Sequence, residues 1–346
     1  MNAEAKGIAL IGSCIVDELV PIIAPGQLSF VDASRFVSPA ELAGEEIRYS
    51  TGGMALNVAV DLAKMAGGYP VMVIGQVGCD HRAELIRRQL RENGILDAGL
   101  RADDRYETSC TQVLHIRMPD ASIERIFRYA LGAMGAFSAE AIDFSLLAGY
   151  QIVQFGYGLL LPQFDLADEE YGTKMGRCLA QAQKMGLRTA LDFVTPTQEN
   201  LWKFYRYRPS LRFLDICCIN EDQACALTEE PIPAQACTAL GKRFHAKVAV
   251  VHCGAQGPNY AWSEETGLLT QANFSVRENE YKGNTGAGDA FSAGVLHGLH
   301  QGWPLQRCLA YAAASAAISL ADVSATGAMR PEREILQYMA DTPLAR

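Results

Sequence analysis

Gly283-Asn284-Thr285-Gly286-Ala287-Gly288-Asp289-Ala290-Phe291 is the stretch that decides the fold, because a run of small residues delivers an acid to the start of a long apolar, Gly-spaced segment. A turn built from Gly286, Ala287 and Gly288 lets backbone N–H groups approach an anion, and a following helix adds the positive end of its macrodipole. Asp289 falls in the first turn of that helix, where the ionised carboxylate is favoured. A carboxylate beside an anion hole repels phosphate in the ground state, so it points to a task beyond binding. The obvious task is to accept the proton of a hydroxyl that attacks a phosphoryl group. The plainer reading is a helix cap after a tight turn, a common use of Gly and Asp.

The composition bounds the surroundings of such a site. The chain of 346 residues is 49% hydrophobic, enough for one large α/β sheet with a small appendage. Lys plus Arg number 30 against 39 Asp plus Glu, a formal charge of −9, which argues against a nucleic-acid partner. A nucleotide must therefore be held by local dipoles, a few basic groups and a metal ion. The 10 cysteines are scattered, with only Cys217-Cys218 adjacent and no C-x-x-C pair. Reduced thiols in a cytoplasmic protein are expected, without a zinc site or a disulfide framework. Residues 7–16 imitate a signal-peptide core, but Glu4 precedes them and Asp17-Glu18 follow, which fits a first buried strand better. No stretch approaches the roughly 20 apolar residues that span a bilayer, so a soluble chain without a membrane partner is expected.

Short apolar runs at residues 7–12, 71–77, 151–155, 188–193, 213–219 and 247–253 read as strands, and helical patterns at 54–66, 82–93, 171–185 and 234–244 lie between them. Gly94 and Gly186 stand where helix C-caps belong. Alternation of helices with fully apolar strands predicts a mostly parallel α/β sheet covered on both faces, with ligands beyond the strands' carboxyl ends. Two segments break the rhythm. Residues 25–49 are polar and irregular, whereas residues 109–129 alternate at period two, as in Gln112-Val113-Leu114-His115-Ile116-Arg117. That alternation marks half-exposed strands, an antiparallel flap beside the core. No internal repeat or linker divides the chain, which reads as a single domain, 1–346. No G-x-x-x-x-G-K-[ST] sequence is present, so the usual P-loop route to a nucleotide is closed.

A second Gly-rich stretch, Gly52-Gly53-Met54-Ala55-Leu56-Asn57-Val58-Ala59, is followed by Val73-Ile74-Gly75-Gln76-Val77-Gly78-Cys79-Asp80. In this order, with Thr285 to Asp289 and Phe291 far downstream, the motifs resemble the two signatures of the ribokinase-like carbohydrate kinases, also called the PfkB family. The resemblance covers nearly the whole chain. It implies a ribokinase-like doubly wound sheet with helices on both faces and a small β lid, formed here by residues 25–49 and 109–129, which closes over the sugar and forms a homodimer interface in many members. It implies an ATP-dependent phosphotransferase acting on a small sugar, with Asp289 as general base and the amides of Gly286, Ala287 and Gly288 as anion hole. Asp17, Gly52, Gly53 and Asn57 match sugar-binding positions: a carboxylate for two neighbouring hydroxyls, glycines for close backbone approach, an amide that both donates and accepts. Read alone, these are a loop acid, a turn and a solvated helix residue. Gly254 and Gly257, after the strand ending at His252-Cys253, match a loop beside the nucleotide, and Asn220 matches the first residue of an N-x-x-E motif tied to magnesium.

The chain also departs from the family pattern. Gln223 replaces the acid of N-x-x-E, leaving Glu221 or Asp222 to act through water on the Mg2+ that accompanies ATP. The residues that contact the metal are not fixed by the sequence. Gly283 replaces the acid that opens D-T-T-G-A-G-D, so stimulation by a monovalent cation is not expected. A nucleoside kinase of the same family is an alternative, since Phe127, Tyr129 or Tyr157 could stack on a base, though packing is the plainer role of such aromatics. A sugar- or nucleotide-binding regulator with weakened catalysis is the non-enzyme alternative, motivated by Gln223 and Gly283. His297 and His300 share a helix face but lack a third ligand, and Asp192 is a residue expected to stand behind the site.

Overall fold

The computed structural model describes residues 6–23, 48–117, 123–255, 257–277 and 279–345. The central sheet is nine-stranded. Its parallel part runs, in spatial order, through β13 (Val248–His252), β12 (Ile216–Asn220), β11 (Arg188–Phe193), β8 (Tyr150–Gly158), β1 (Gly7–Gly12), β4 (Val71–Val77) and β5 (Leu96–Ala102). At the β13 edge, β14 (Asn259–Ser263) and β15 (Gly267–Gln271) add on antiparallel. A two-residue pair, β9 (Ala167–Asp168) and β10 (Gly172–Thr173), precedes the helix Lys174–Lys184.

The central strands are largely apolar on both faces, and successive side chains feed opposite cores. On β1, Ile8 and Leu10 join one cluster with the helices Met54–Met65, Ala287–His300 and Leu305–Ser319. Ala9 and Ile11 join the other, with the helices Lys174–Lys184, Glu221–Thr228 and Pro233–Lys242. Thus the run that resembled a leader is the buried centre of the sheet. No helix among the described residues is long and apolar enough to cross a membrane.

Where element ends differ from the sequence reading, a local hydrogen bond explains the shift. The helix expected from 171 starts at Lys174 because Thr173 Oγ1 accepts the Gly176 amide and caps it. The strand expected from 213 starts at Ile216, since Phe213 closes a 3₁₀ turn and Asp215 takes the Thr189 amide. Gly94 and Gly186 do follow their helices with φ of 66° and 83°.

A second, four-stranded sheet has the order β3-β2-β6-β7, with β2 (Ile15–Ile23), β3 (Arg48–Gly52), β6 (Cys110–Arg117) and β7 (Ile123–Ala130). The alternation at 109–129 is the β6–β7 hairpin, in register from Cys110 opposite Ala130 to Arg117 opposite Ile123. β2, unanticipated, pairs parallel with β6 and antiparallel with β3. Most of the irregular segment 25–49 lies outside the described residues.

The helices Ala287–His300 and Leu305–Ser319 pack through small residues: a Cβ on Gly294 would lie 2.7 Å from Ala312 Cα, and one on Gly298 2.8 Å from Cys308 Sγ. This close approach fixes the helix that carries Asp289. Gly294→Val should force the pair apart and destabilise the protein by about 1–3 kcal/mol, visible as a lower Tm in thermal unfolding.

Candidate active site

The turn before the helix Ala287–His300 has the geometry its sequence foretells. Gly286 is the N-cap, at φ 80° and ψ 0°, a left-handed conformation that favours glycine. Space imposes the same choice, because a Cβ there would sit 2.5 Å from the Ala325 carbonyl oxygen. Ala287 and Gly288 open the helix, the Ala287 amide closing a turn to the Asn284 carbonyl at 3.2 Å. Asp289 follows in the first turn and is only 5% exposed.

Both oxygens of Asp289 are held. Asn57 Nδ2 donates to Oδ2 at 2.8 Å, and the Tyr157 hydroxyl donates to Oδ1 at 2.5 Å. Burial pushes the Asp289 carboxyl above its ordinary range, while the Tyr157 and Asn57 donors pull it down. Asn57 was expected from the sequence as a sugar-binding amide, not as a partner of Asp289. Tyr157 was read only as an aromatic able to stack, and its hydroxyl is instead directed at Asp289 from the end of β8.

The Gly52-Gly53 pair is explained by what lies against it. A Cβ on Gly52 would lie 2.2 Å from Asp17 Oδ2, and one on Gly53, at φ 84°, 2.6 Å from the Ser13 carbonyl. Gly53 is the N-cap of the helix Met54–Met65, and the Ser13 hydroxyl supplies the missing cap by accepting the Met54 amide at 3.0 Å. Asp17 lies on β2 opposite Ser50 of β3 and Thr111 of β6. Its pKa is raised to about 6, chiefly by burial and further by the charge of Asp289, with Thr111 opposing. Two more acids surround Asp289. Asp61 and Asp192 are both pushed well above the carboxylate range by burial first and by Asp289 second. Asp192, anticipated as a residue behind the site, accepts the Phe193 amide at 2.7 Å. Asp61 was missed, for on the sequence it is one more polar residue of an amphipathic helix.

The residues matched to the nucleotide gather at the carboxyl ends of β12 and β13. Asn220 pairs with His252 across those strands. Asn220 and Gln223 form a capping box: Asn220 Oδ1 accepts the Gln223 amide at 2.8 Å, and Gln223 Oε1 accepts the Asn220 amide at 3.0 Å. Gln223 Nε2 also donates to the Phe193 carbonyl at 2.7 Å. Gln223 thus serves the backbone, where an acid would lack the donor that Phe193 receives. Gly254, at φ 51°, borders open space, and the Asn273 amide donates to the carbonyls of Gly254 and Gly257 at 2.6 and 3.2 Å. Asn259 holds Asn273 in turn at 2.8 Å. Neither Asn259 nor Asn273 could be read from a motif. His252, its pKa lowered to about 4 by burial, rests beside Phe291, and a Cβ on Gly288 would lie 3.5 Å from its Cε1.

No group of three or more His, Cys, Asp or Glu able to hold a metal occurs among the described residues. His297 is structural: its ring nitrogens meet the Tyr69 hydroxyl at 2.9 Å and Glu332 at 3.0 Å.

Gly286→Ala tests the turn directly. The strained φ and the collision with Ala325 should cost about 1–3 kcal/mol, lowering the Tm more than Gly254→Ala, whose Cβ enters open space; equal effects would refute the packing argument.

Comparison with known proteins supplies a family. A model of the pfkB family of carbohydrate kinases matches residues 22–333. The chain is 25% identical over 330 residues to a probable fructokinase-7 of Arabidopsis thaliana, covering 93% of this chain and 92% of the relative. It is 23% identical over 344 residues to a 5-dehydro-2-deoxygluconokinase of Geobacillus thermodenitrificans, covering 95% and 96%. Among solved structures, the Arabidopsis thaliana ribokinase complexed with ribose and ATP superposes with a TM-score of 0.73 at 21% identity, covering 97% of this chain and 99% of that one. With the family model spanning most of the chain, the protein belongs to the pfkB family of carbohydrate kinases.

Proposed function

We propose that the protein transfers the γ-phosphoryl group of ATP to a hydroxyl of a small sugar or sugar derivative, with Asp289 as general base. The observation that carries this reading is the placement of Asp289: a buried carboxylate in the first turn of a helix opened by Gly286, both of its oxygens held by hydrogen-bond donors. The acceptor hydroxyl displaces one donor, gives its proton to Asp289 and attacks the γ-phosphorus as the bond to the β,γ-bridging oxygen breaks, releasing ADP. The amides of Gly286, Ala287 and Gly288 and the helix dipole face the charge on the transferred group, Ala287 giving up its long contact with Asn284. Asp17, Asn57 and the backbone at Gly52 and Gly53 hold the acceptor. The loop of Gly254 and Gly257, beside Asn220, borders the nucleotide. Magnesium enters with ATP, whose phosphates provide most of its ligands. The four-stranded sheet acts as the lid, because it brings Asp17 and Gly52 to the acceptor. The engagement of Tyr157 with Asp289 favours a sugar over a nucleoside, since it removes one of the aromatics available for stacking.

The decisive experiment measures ADP release with Mg-ATP on D-fructose, 5-dehydro-2-deoxy-D-gluconate, D-ribose and adenosine, in wild type and Asp289→Asn. Wild type should turn over at least one sugar, and the variant should lose about 10²–10⁴-fold in kcat with ATP affinity kept. Near-wild-type turnover by the variant would sink the mechanism. Sugar binding by wild type without turnover on any acceptor would indicate a regulator.

Tyr157→Phe removes a donor that stabilises the Asp289 carboxylate. The pKa of the base should therefore rise, moving the acid limb of the kcat/KM profile to higher pH, so that activity is lost first at low pH. An unmoved limb would exclude Tyr157 from control of the base.

A further inference from the structure

The proposed chemistry leaves one buried acid unused. Asp61 is 0% exposed, and neither of its carboxylate oxygens has a hydrogen-bond partner among the described residues. Four positions earlier, on the same face of the helix Met54–Met65, Asn57 gives its Nδ2 to Asp289 and keeps a buried Oδ1 that is likewise unpartnered. Acceptor oxygens stacked over one helical turn without a donor are short of a proton. An unpaired carboxylate is among the costliest groups to bury, whereas a carboxylic acid supplies the donor that the neighbouring amide oxygen lacks.

Among the described residues, several nearby polar groups are engaged elsewhere. Lys64, three residues on, donates its ammonium to the Thr326 carbonyl at 2.6 Å. The helix Ala287–His300, packed against this one, brings Asp289, which repels a charge on Asp61, and His297, already held by Tyr69 and Glu332. From β8 come Tyr157, bound to Asp289, and Gln154, whose Nε2 donates to Ser292 and whose Oε1, on a strand and not on the turn of helix that carries Asp61, is also buried without a partner among the described residues. From β4, Gln76 donates to Asp103. The β1 residues are apolar. Burial and the Asp289 charge push the Asp61 carboxyl well above its ordinary range, against the pull of Lys64.

We propose that Asp61 is a neutral carboxylic acid that donates its proton to Asn57 Oδ1, locking the amide with Nδ2 on Asp289, and so is a positioning residue for the base. The inference rests on the reading of Asp289 as the base, but the proton itself can be tested without an acceptor. Asp61→Asn offers an amide donor in place of the acid; Asp61→Leu keeps the volume and removes the donor. At neutral pH, the infrared difference between wild type and D61N should show the loss of one protonated-carboxyl C=O stretch. With the best acceptor of the four compounds named above, D61N should keep kcat/KM within about twofold and leave its acid limb unmoved, since no charge is removed. D61L should lose about tenfold in acceptor kcat/KM, the scale of one neutral hydrogen bond, with the KM for ATP unchanged. If D61L does not fold, the infrared and pH results on D61N still decide. An unchanged carboxyl spectrum, or an acid limb that moves down in D61N, would mean that Asp61 is ionised and overturn the proposal, as would full activity in D61L. Wild type inactive on every acceptor would sink the kinase reading and leave the infrared test of Asp61 standing.

Discussion

The bond from Asn57 Nδ2 to Asp289 Oδ2 joins residues 232 positions apart, and the site is organised around it. Each partner sits in the first turns of its own helix, and each helix begins at a glycine with positive φ, Gly53 or Gly286. The glycines let the backbone turn sharply enough to place the two helix starts face to face. The second glycine pattern is therefore a requirement of the first, since without Gly53 the Met54–Met65 helix could not start against Ser13 and present Asn57 to the acid.

The electrostatics around Asp289 are unusual for a chain of formal charge −9. Asp17, Asp61 and Asp192 all feel its charge. A cluster of this kind cannot be fully ionised while dry, and at neutral pH the acids must differ in state. Asp289 has both oxygens held by side-chain donors from other elements, Asn57 and Tyr157, which favours a negative charge on it.

Much of this was legible in the sequence, because the informative residues are ones whose chemistry is local. Gly286 and Gly53 announce turns, an acid in a first turn announces itself, and apolar runs such as residues 71–77 read as buried strands on their own. The rest depended on contacts between distant segments. Tyr157 has no motif, and its hydroxyl gains meaning only when β8 lies beside the Asp289 helix. Asn259 and Asn273 support the Gly254 loop from strands and turns that no pattern links to it. Gln223 looked like the loss of a metal-binding acid, yet its amide both closes the capping box and donates to Phe193, a double use that only the fold reveals. β2 went unread because its residues pair with a hairpin nearly a hundred positions away.

The Met54–Met65 helix is tied to the Gly286 turn at both ends: Asn57 reaches Asp289, and Lys64 holds the Thr326 carbonyl in the loop whose Ala325 abuts Gly286. Two anchors a helix-length apart resist rotation as well as separation, so the two Gly-rich stretches behave as one rigid jaw. The chain passes between the two sheets at Ser13-Cys14, at Gly53, at residues 103–109 and at Leu131, and Gly53 is already pinned by the Ser13 cap. The crossing at 103–109 is pinned as well, since Asp80 accepts both the amide and the hydroxyl of Thr108 at 2.7 Å and the Glu107 carbonyl accepts the Ala133 amide at 2.8 Å, so the small sheet is moored to the large one at several of its seams rather than hung from a single strap.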